Sequence, residues 1–262
     1  MKDMMEKLFE ELAQLEQVEA LVLGGSRAGN FYDDQSDYDV YVYLSEPLDE
    51  TVRRELFAKY CRYMEISNHF WELEDDGILN NGIEIEFIYR KLDDFYQDIQ
   101  SVVKDFQVHN AYTTAMWHNL LNSKIIFDRQ GRYKKMQDTF DIPYPQELKN
   151  AIVERQLQLL KTHMPAFPNQ IRKAFKRRDF PAINHRVTEF LASYFEVIFA
   201  LNEQTHPGEK RMITYAKQNC NWLPKDFEEN LELLFKHLFD DKNTIIIDKM
   251  MIALQDLVNQ TK

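Results

Sequence analysis

The chain has 262 residues, 44% of them hydrophobic and 13% aromatic, which is enough to build packed cores and excludes a disordered protein. Its 43 carboxylates outnumber its 32 lysines and arginines, giving a net charge of −11. That balance argues against nucleic acid as the main partner, because such binders present a basic face, and suits a neutral or cationic small substrate.

Met4, Leu8, Leu12 and Leu15 recur at helical spacing and predict an opening amphipathic helix. Glu6, Glu10 and Glu11 stand where a signal peptide would carry its apolar region, and no apolar run reaches membrane-spanning length. Cys61 and Cys220 are the only two cysteines and offer neither zinc spacing nor a disulfide framework. The sequence therefore reads as cytoplasmic, with no membrane partner and no zinc.

Val18 to Leu23 is a short apolar run ending at Gly24, the pattern of a strand feeding a glycine-rich turn. A helix or helical turn is expected from Ser26 to about Phe31. Asp37 to Leu44 sets β-branched and aromatic residues between acids and reads as a strand, closed by Pro47. Asp49 is placed to cap a helix running through Arg53, Leu56 and Tyr60. Phe70–Leu73 and Ile83–Tyr89 read as two further strands, with turns at Asp75-Asp76-Gly77 and Asn80-Asn81-Gly82.

Beyond about residue 92 the strand-like alternation gives way to helical patterns. They fall at 111–123, 147–163, 169–178, 181–202, 208–219, 225–239 and 243–259. Pro143, Pro145, Pro165, Pro168, Pro207 and Pro224 punctuate them. The expected organisation is a small module of mixed strands and helices over residues 1–105, then a helical domain over 106–262.

Three of the seven glycines fall between positions 24 and 29, in Gly24-Gly25-Ser26-Arg27-Ala28-Gly29. Backbone N–H groups at such a strand-to-helix turn can donate to anionic oxygens, the Ser26 hydroxyl can join them, and Arg27 can neutralise phosphate charge. Ser36-Asp37-Tyr38-Asp39 follows in the next strand, where Asp37 and Asp39 project to the same side. Two carboxylates so placed can share one or two Mg²⁺ ions that also hold substrate phosphates. Glu84 and Glu86 alternate with apolar residues in a later strand, and either can supply a third carboxylate. No Walker A loop and no Gly-x-Gly-x-x-Gly fingerprint occurs. A Gly-Gly-Ser turn or an Asp-x-Asp pair alone is commonplace; their combination in this order points to phosphoryl or nucleotidyl transfer.

At these residues the chain resembles the nucleotidyltransferase superfamily that shares the DNA polymerase β-like palm. Gly24, Gly25 and Ser26 match its first motif and Asp37 and Asp39 its second. Glu86 is the best match to the third, where Asp is commoner. Phe70-Trp71-Glu72, Trp117 to Ser123, Asn184-His185-Arg186-Val187 and His206 to Arg211 resemble segments of the bacterial domain of unknown function 4037. The resemblance implies an α+β fold: an N-terminal nucleotidyltransferase-like mixed sheet with flanking helices, followed by a C-terminal helical bundle. It also implies a Mg²⁺-dependent nucleotidyltransferase, with two ions held by Asp37, Asp39 and Glu86 and a triphosphate held by Gly24, Gly25, Ser26 and Arg27. ATP is the expected donor, with other NTPs as alternatives.

The acceptor side is expected from the helical part. His185, Glu189, Ser193 and Glu196 form a polar stripe on the 181–202 helix, and Glu189 is the candidate general base, with His185 and His118 as rivals. Thr114 and His118 make a similar pair one turn apart, and Lys210 is placed to reach the triphosphate. The expected acceptor is a hydroxyl of a small molecule, aminoglycoside- or lincosamide-like compounds being candidates. The alternatives are a nucleotide-binding or antitoxin-like module without turnover, and a protein-modifying nucleotidyltransferase.

Overall fold

A computed structural model describes residues 2–28 and 36–261, except for the side chains of Lys2, Asp3 and Ser26. The chain divides into two compact units, one formed by Met1–Gln100 with Asn119–Ile142 and the other by Ser101–His118 with Pro143–Lys262.

The first unit opens with α1 (Lys2–Gln14) and β1 (Val18–Leu23), as the periodicity predicts. A single helical turn, α2 (Gly25–Ala28), leads on; Gly29 and any continuation of this helix towards Phe31 lie outside the described residues. Next come β2 (Tyr38–Leu44) and α3 (Glu50–Phe57), the latter capped by the Asp49 carboxylate, which accepts from the Thr51 N–H at 2.7 Å. The unit continues through β3 (Cys61–Asn68), β4 (Leu73–Leu79), β5 (Glu84–Lys91) and α4 (Leu92–Val103). After α5 (Ala115–Asn122), β6 (Lys124–Asp128) and α6 (Arg132–Phe140) complete it.

The six strands form one mixed sheet in the order β3-β4-β5-β2-β1-β6, with β2 and β5 parallel and every other pair antiparallel. Strand alternation sends Val40, Val42, Ile85 and Phe87 to one face, where they pack with Leu8 and Leu12 of α1 and Leu56 and Phe57 of α3. On the opposite face Tyr43 is covered by Phe95 of α4 and Tyr133 of α6, with ring centroids 5.3 and 5.1 Å away.

Four features differ from the sequence reading. Residues 61–68 are a strand, and of Phe70–Leu73 only Leu73 is, as the first residue of β4: Phe70 and Trp71 are 80% and 90% exposed in the link between β3 and β4. Asp75-Asp76-Gly77 is the middle of β4 and not a turn, because Asp75 finds buried partners and Gly77 faces Met64, whose Sδ would lie 2.7 Å from a Cβ there. Strand β6 appears beyond residue 92, added to the free edge of β1. Helices α4 and α6 also form where no helical pattern is read.

The second unit is helical, with α7 (Gln146–Leu157) passing into a π-helical turn at Gln158–Thr162. It continues through α8 (Phe167–Arg177), α9 (Phe180–Leu201), α10 (Met212–Asn219), α11 (Phe227–Lys236) and α12 (Lys242–Gln260). Helix α9 is the centre of this unit, and every residue from Phe190 to Leu201 is buried. Among the described residues no helix is long and apolar enough to cross a membrane.

Candidate active site

The turn after β1 is shaped by its two glycines. Gly24 is buried and donates its N–H to the Asp39 carbonyl at 2.8 Å, extending the β1–β2 ladder by one bond. A Cβ at Gly24 would lie 2.4 Å from the Tyr41 ring. Gly25 takes φ = +57°, and a Cβ there would lie 1.6 Å from Asp39 Oδ2. The Asp39 carboxylate thus lies directly against the turn, in space that only glycine leaves open. The turn is closed by the Ala28 N–H on the Gly24 carbonyl at 3.2 Å. The N–H groups ahead of Ala28 precede the first bond of the helical ladder, the position from which helix N–H groups serve external acceptors.

Arg27 acts as a brace. Its Nε donates to the carbonyls of Ser36 (2.7 Å) and Asp37 (3.0 Å), and its guanidinium lies 4.0 Å from the centroid of the Tyr38 ring. It ties the glycine turn to the entry of β2 and so fixes where Asp37 and Asp39 begin. The Ser26 hydroxyl, expected to join the donors, lies outside the described side chains.

Register brings the acids together. Asp39 on β2 is directly opposite Glu86 on β5, and Glu86 is opposite Asp76 on β4. Neighbouring strands lie about 4.8 Å apart, so the three carboxylates form one row on the same face. Burial, and then the charges of Asp39, Asp76, Asp37 and Glu74, push the half-buried Glu86 carboxyl up to about 7. Glu84 is exposed at the start of β5 and pairs in register with Ile78 instead. Asp76 was hidden from the sequence reading by its Asp-Asp-Gly context; its alternation with Glu74 and Ile78 on a strand is the signal that places it.

Among the described residues, no three or more of His, Cys, Asp and Glu are placed to hold a metal ion. The expected three-carboxylate cluster is therefore represented by an adjacent pair, Asp39 and Glu86, inside the field of further acids. The donor chemistry of that pair fits magnesium, which takes hard oxygen ligands, and every cause of the Glu86 shift is one that a nearby cation would oppose.

Next to the row, Arg90 forms a bidentate pair with Glu72 (2.7 and 2.5 Å) and lies 4.5 Å from the Tyr41 ring centroid. This brace holds the Tyr41 ring against Gly24.

In the helical unit the predicted acceptor-side residues take varied positions. Glu189 accepts from Arg186 at 2.5 Å, and its Oε2 is 3.5 Å from Nε2 of the exposed His185. Ser193 and Glu196, read as parts of the same polar stripe, are fully buried because α9 sinks into the core there. His118 is bonded to the Thr205 hydroxyl at 2.7 Å, and burial pushes its imidazole down to about 4, so it is neutral. Lys210 is exposed just ahead of α10.

Comparison with known families agrees with this architecture. Residues 5–111 match the nucleotidyltransferase domain, which supports a transferase role. Residues 111–212 match the domain of unknown function 4037, so the two matches follow one another along the chain. No curated protein matches the sequence.

Among solved structures, a nucleotidyltransferase-like protein from Exiguobacterium sibiricum 255-15 is 12% identical with a TM-score of 0.43, covering 98% of this chain and 75% of that one. An aminoglycoside 6-adenyltransferase from Bacillus subtilis is 10% identical with a TM-score of 0.30, covering 98% and 91%. The spectinomycin adenyltransferase AAD(9) from Enterococcus faecialis is 13% identical with a TM-score of 0.30, covering 97% and 98%. Likeness this distant assigns no substrate.

Proposed function

We propose that this protein is a Mg²⁺-dependent nucleotidyltransferase that moves a nucleotidyl group, AMP from ATP in the first instance, onto a hydroxyl of a small-molecule acceptor. The observation that carries the reading is the Asp39–Glu86 pair, in register on adjacent strands beneath the Gly24-Gly25 turn of a nucleotidyltransferase domain. Gly24, Gly25, Ser26 and Arg27 would cradle the triphosphate, with Lys210 as a further cation. Asp37, Asp39 and Glu86 would hold the magnesium. When bound, two such ions neutralise triphosphate charge and polarise the reacting phosphate.

The chain's own part is positioning. The rigid turn fixes the donor phosphates, and the acid row fixes where positive charge collects. Attack by the acceptor oxygen on the α-phosphorus breaks its bond to the bridging oxygen and releases pyrophosphate. Glu189 is the proposed base for the acceptor proton, with His185 and His118 as the alternatives. The helical part, 106–262, is proposed to bind the acceptor, and aminoglycoside- or lincosamide-like compounds lead the list because a chain of net charge −11 suits a cationic or neutral molecule.

One observation favours a second reading. Because no three-carboxylate group is assembled among the described residues, a nucleotide-binding module without turnover also fits. Pyrophosphate release from ATP and Mg²⁺ across a screen of aminoglycosides, lincosamides, other hydroxyl compounds and proteins separates the two. Release that depends on one acceptor class and is abolished in Asp39→Ala supports transfer. Mg²⁺-dependent nucleotide binding with no pyrophosphate from any acceptor supports the module.

A further inference from the structure

The helical unit holds a charge pattern opposite to that of the whole chain. Residues 172–186 carry six cationic side chains (Arg172, Lys173, Lys176, Arg177, Arg178 and Arg186) against the single carboxylate of Asp179, in a protein of net charge −11. Three of the six line one cavity. Helices α8 and α9 enclose a cleft of about 410 Å³, bordered by Lys173 and Arg177 from α8 and by Arg186 from α9. The spacing explains the convergence: 173 and 177 are one turn apart on α8, and 182 and 186 are one turn apart on α9. Ala174 and Ala182 line the same cleft and leave it open, and Met164 and Pro165 add an apolar wall.

The cleft's charges are poorly matched from within. Among the described residues, the side chains of Lys173 and Arg177 make no hydrogen bond and no ion pair, whereas Arg172, in the same run, pairs with Asp248 of α12. Arg186 pairs with Glu189 at 2.5 Å. The one acid on the cleft wall, Asp179, is engaged as the cap of α9, accepting from the Ala182 N–H at 3.1 Å. Cations in the last turn of a helix favour its C-terminus, which accounts for Lys176 and Arg177. That effect reaches neither Lys173, earlier on α8, nor Arg186, on a different helix.

We propose that the cleft between α8 and α9 binds a small ligand through a phosphate or diphosphate group, recognised by Lys173, Arg177 and Arg186. Lys173 and Arg177, whose side chains have no partner among the described residues, match a group of two negative charges, and a guanidinium fork suits phosphate oxygens. The volume lies in the range of small-molecule pockets. An extended nucleic-acid backbone needs a long basic stripe, and outside this run the chain is strongly acidic. The site lies wholly within the helical unit; Arg186, through its pair with Glu189, is its one link to the proposed acceptor side, and Lys173 and Arg177 have none.

The test is calorimetric titration of the full chain with inorganic pyrophosphate, in EDTA and low salt so that no magnesium-dependent site contributes. Saturable 1:1 binding is expected in the wild type and in Asp39→Ala. Lys173→Glu/Arg177→Glu should weaken it about tenfold or more, and the charge-matched Lys176→Glu/Arg178→Glu should change it by less than about twofold. Thermal melts verify folding, and Lys173→Gln/Arg177→Gln replaces the first pair if its melt is lost. Absence of saturable binding to both pyrophosphate and inorganic phosphate overturns the proposal. Equal weakening by the two charge-reversed pairs overturns it as well. So does tight binding of a twelve-residue oligoadenylate that is lost in both pairs with a steep salt dependence, which would assign the run to RNA.

Discussion

Asp75 and Asp76 are neighbours in sequence on β4, yet they end on opposite faces of the sheet with opposite surroundings. Asp75 is wholly buried and surrounded by donors: the Arg53 guanidinium, the Ser67 N–H at 2.8 Å and the Tyr89 hydroxyl at 2.7 Å. Asp76 accepts from Asn68 at 2.6 Å and belongs to a row of acids that includes Glu86 and Asp39. A carboxylate retained for structure is satisfied in full, because an unpaired buried charge is costly. On the other face, carboxylates are held among like charges, and burial first, then those charges, drive Glu86 up to about 7. Such frustration is what a bound cation would relieve, and it is the reason this face is proposed for the chemistry.

Cutting the satisfied side should cost most in stability. Arg53→Met leaves Asp75 buried without its cation and is expected to lower unfolding free energy by about 3–5 kcal/mol, read by urea denaturation. A loss below about 1 kcal/mol would mean that Asp75 is not structural in this sense. On the face of the acid row, Asp39→Asn should lower turnover about a hundredfold to a thousandfold at a smaller cost in stability than Arg53→Met, since the exchange keeps the side chain's size and an acceptor oxygen. A large drop in melting temperature would place Asp39 in the structural class instead.

Glu196 offers an intermediate case. It accepts from the Thr113 N–H at 2.8 Å, but its second carboxyl oxygen is buried with no partner among the described residues. Burial pushes it up to about 7 from an ordinary value of 4.5. The folded state therefore keeps a proton that the unfolded chain releases, so this group's stability contribution is lost as pH rises from about 4.5 through 7. Glu196→Gln keeps an acceptor for Thr113 and should flatten that decline, gaining about 1–3 kcal/mol at pH 8 and little at pH 5, measured by denaturation at both values.

Glu86 should show the smallest effect, visible in a pH profile. Without magnesium its carboxyl binds a proton as pH falls below about 7, so nucleotide affinity that depends on metal should fade on the acid side of that value. Glu86→Gln should weaken metal-dependent binding at pH 8 and remove this pH dependence. A profile identical in the variant would detach Glu86 from the site.

The sequence made part of this contrast readable. Alternation placed β1, β2 and β5, and the two glycines with Asp37 and Asp39 marked the turn that the Asp39 carboxylate faces. Helical periodicity gave α1 and the helices beyond residue 146 to within a few residues. The remainder depended on long-range partners. Asp75-Asp76-Gly77 looks like a turn until Arg53, 22 positions earlier, is known to meet Asp75. Strand β6 is too short and too half-buried to stand out from its helical neighbours, and only its pairing with β1 defines it. The basic cleft is equally hidden, because the sequence shows a run of cations on α8 but not that Arg186 joins two of them from another helix.

A crystal structure of the protein with a non-hydrolysable ATP analogue and Mg²⁺ would show whether the glycine turn and the acid row hold donor and metal together. The triphosphate is expected beneath the Gly24–Arg27 turn, with magnesium bound to the Asp39 carboxylate on the face that Glu86 shares. A nucleotide bound elsewhere, or bound at the turn with Asp39 and Glu86 both left without metal, would contradict it.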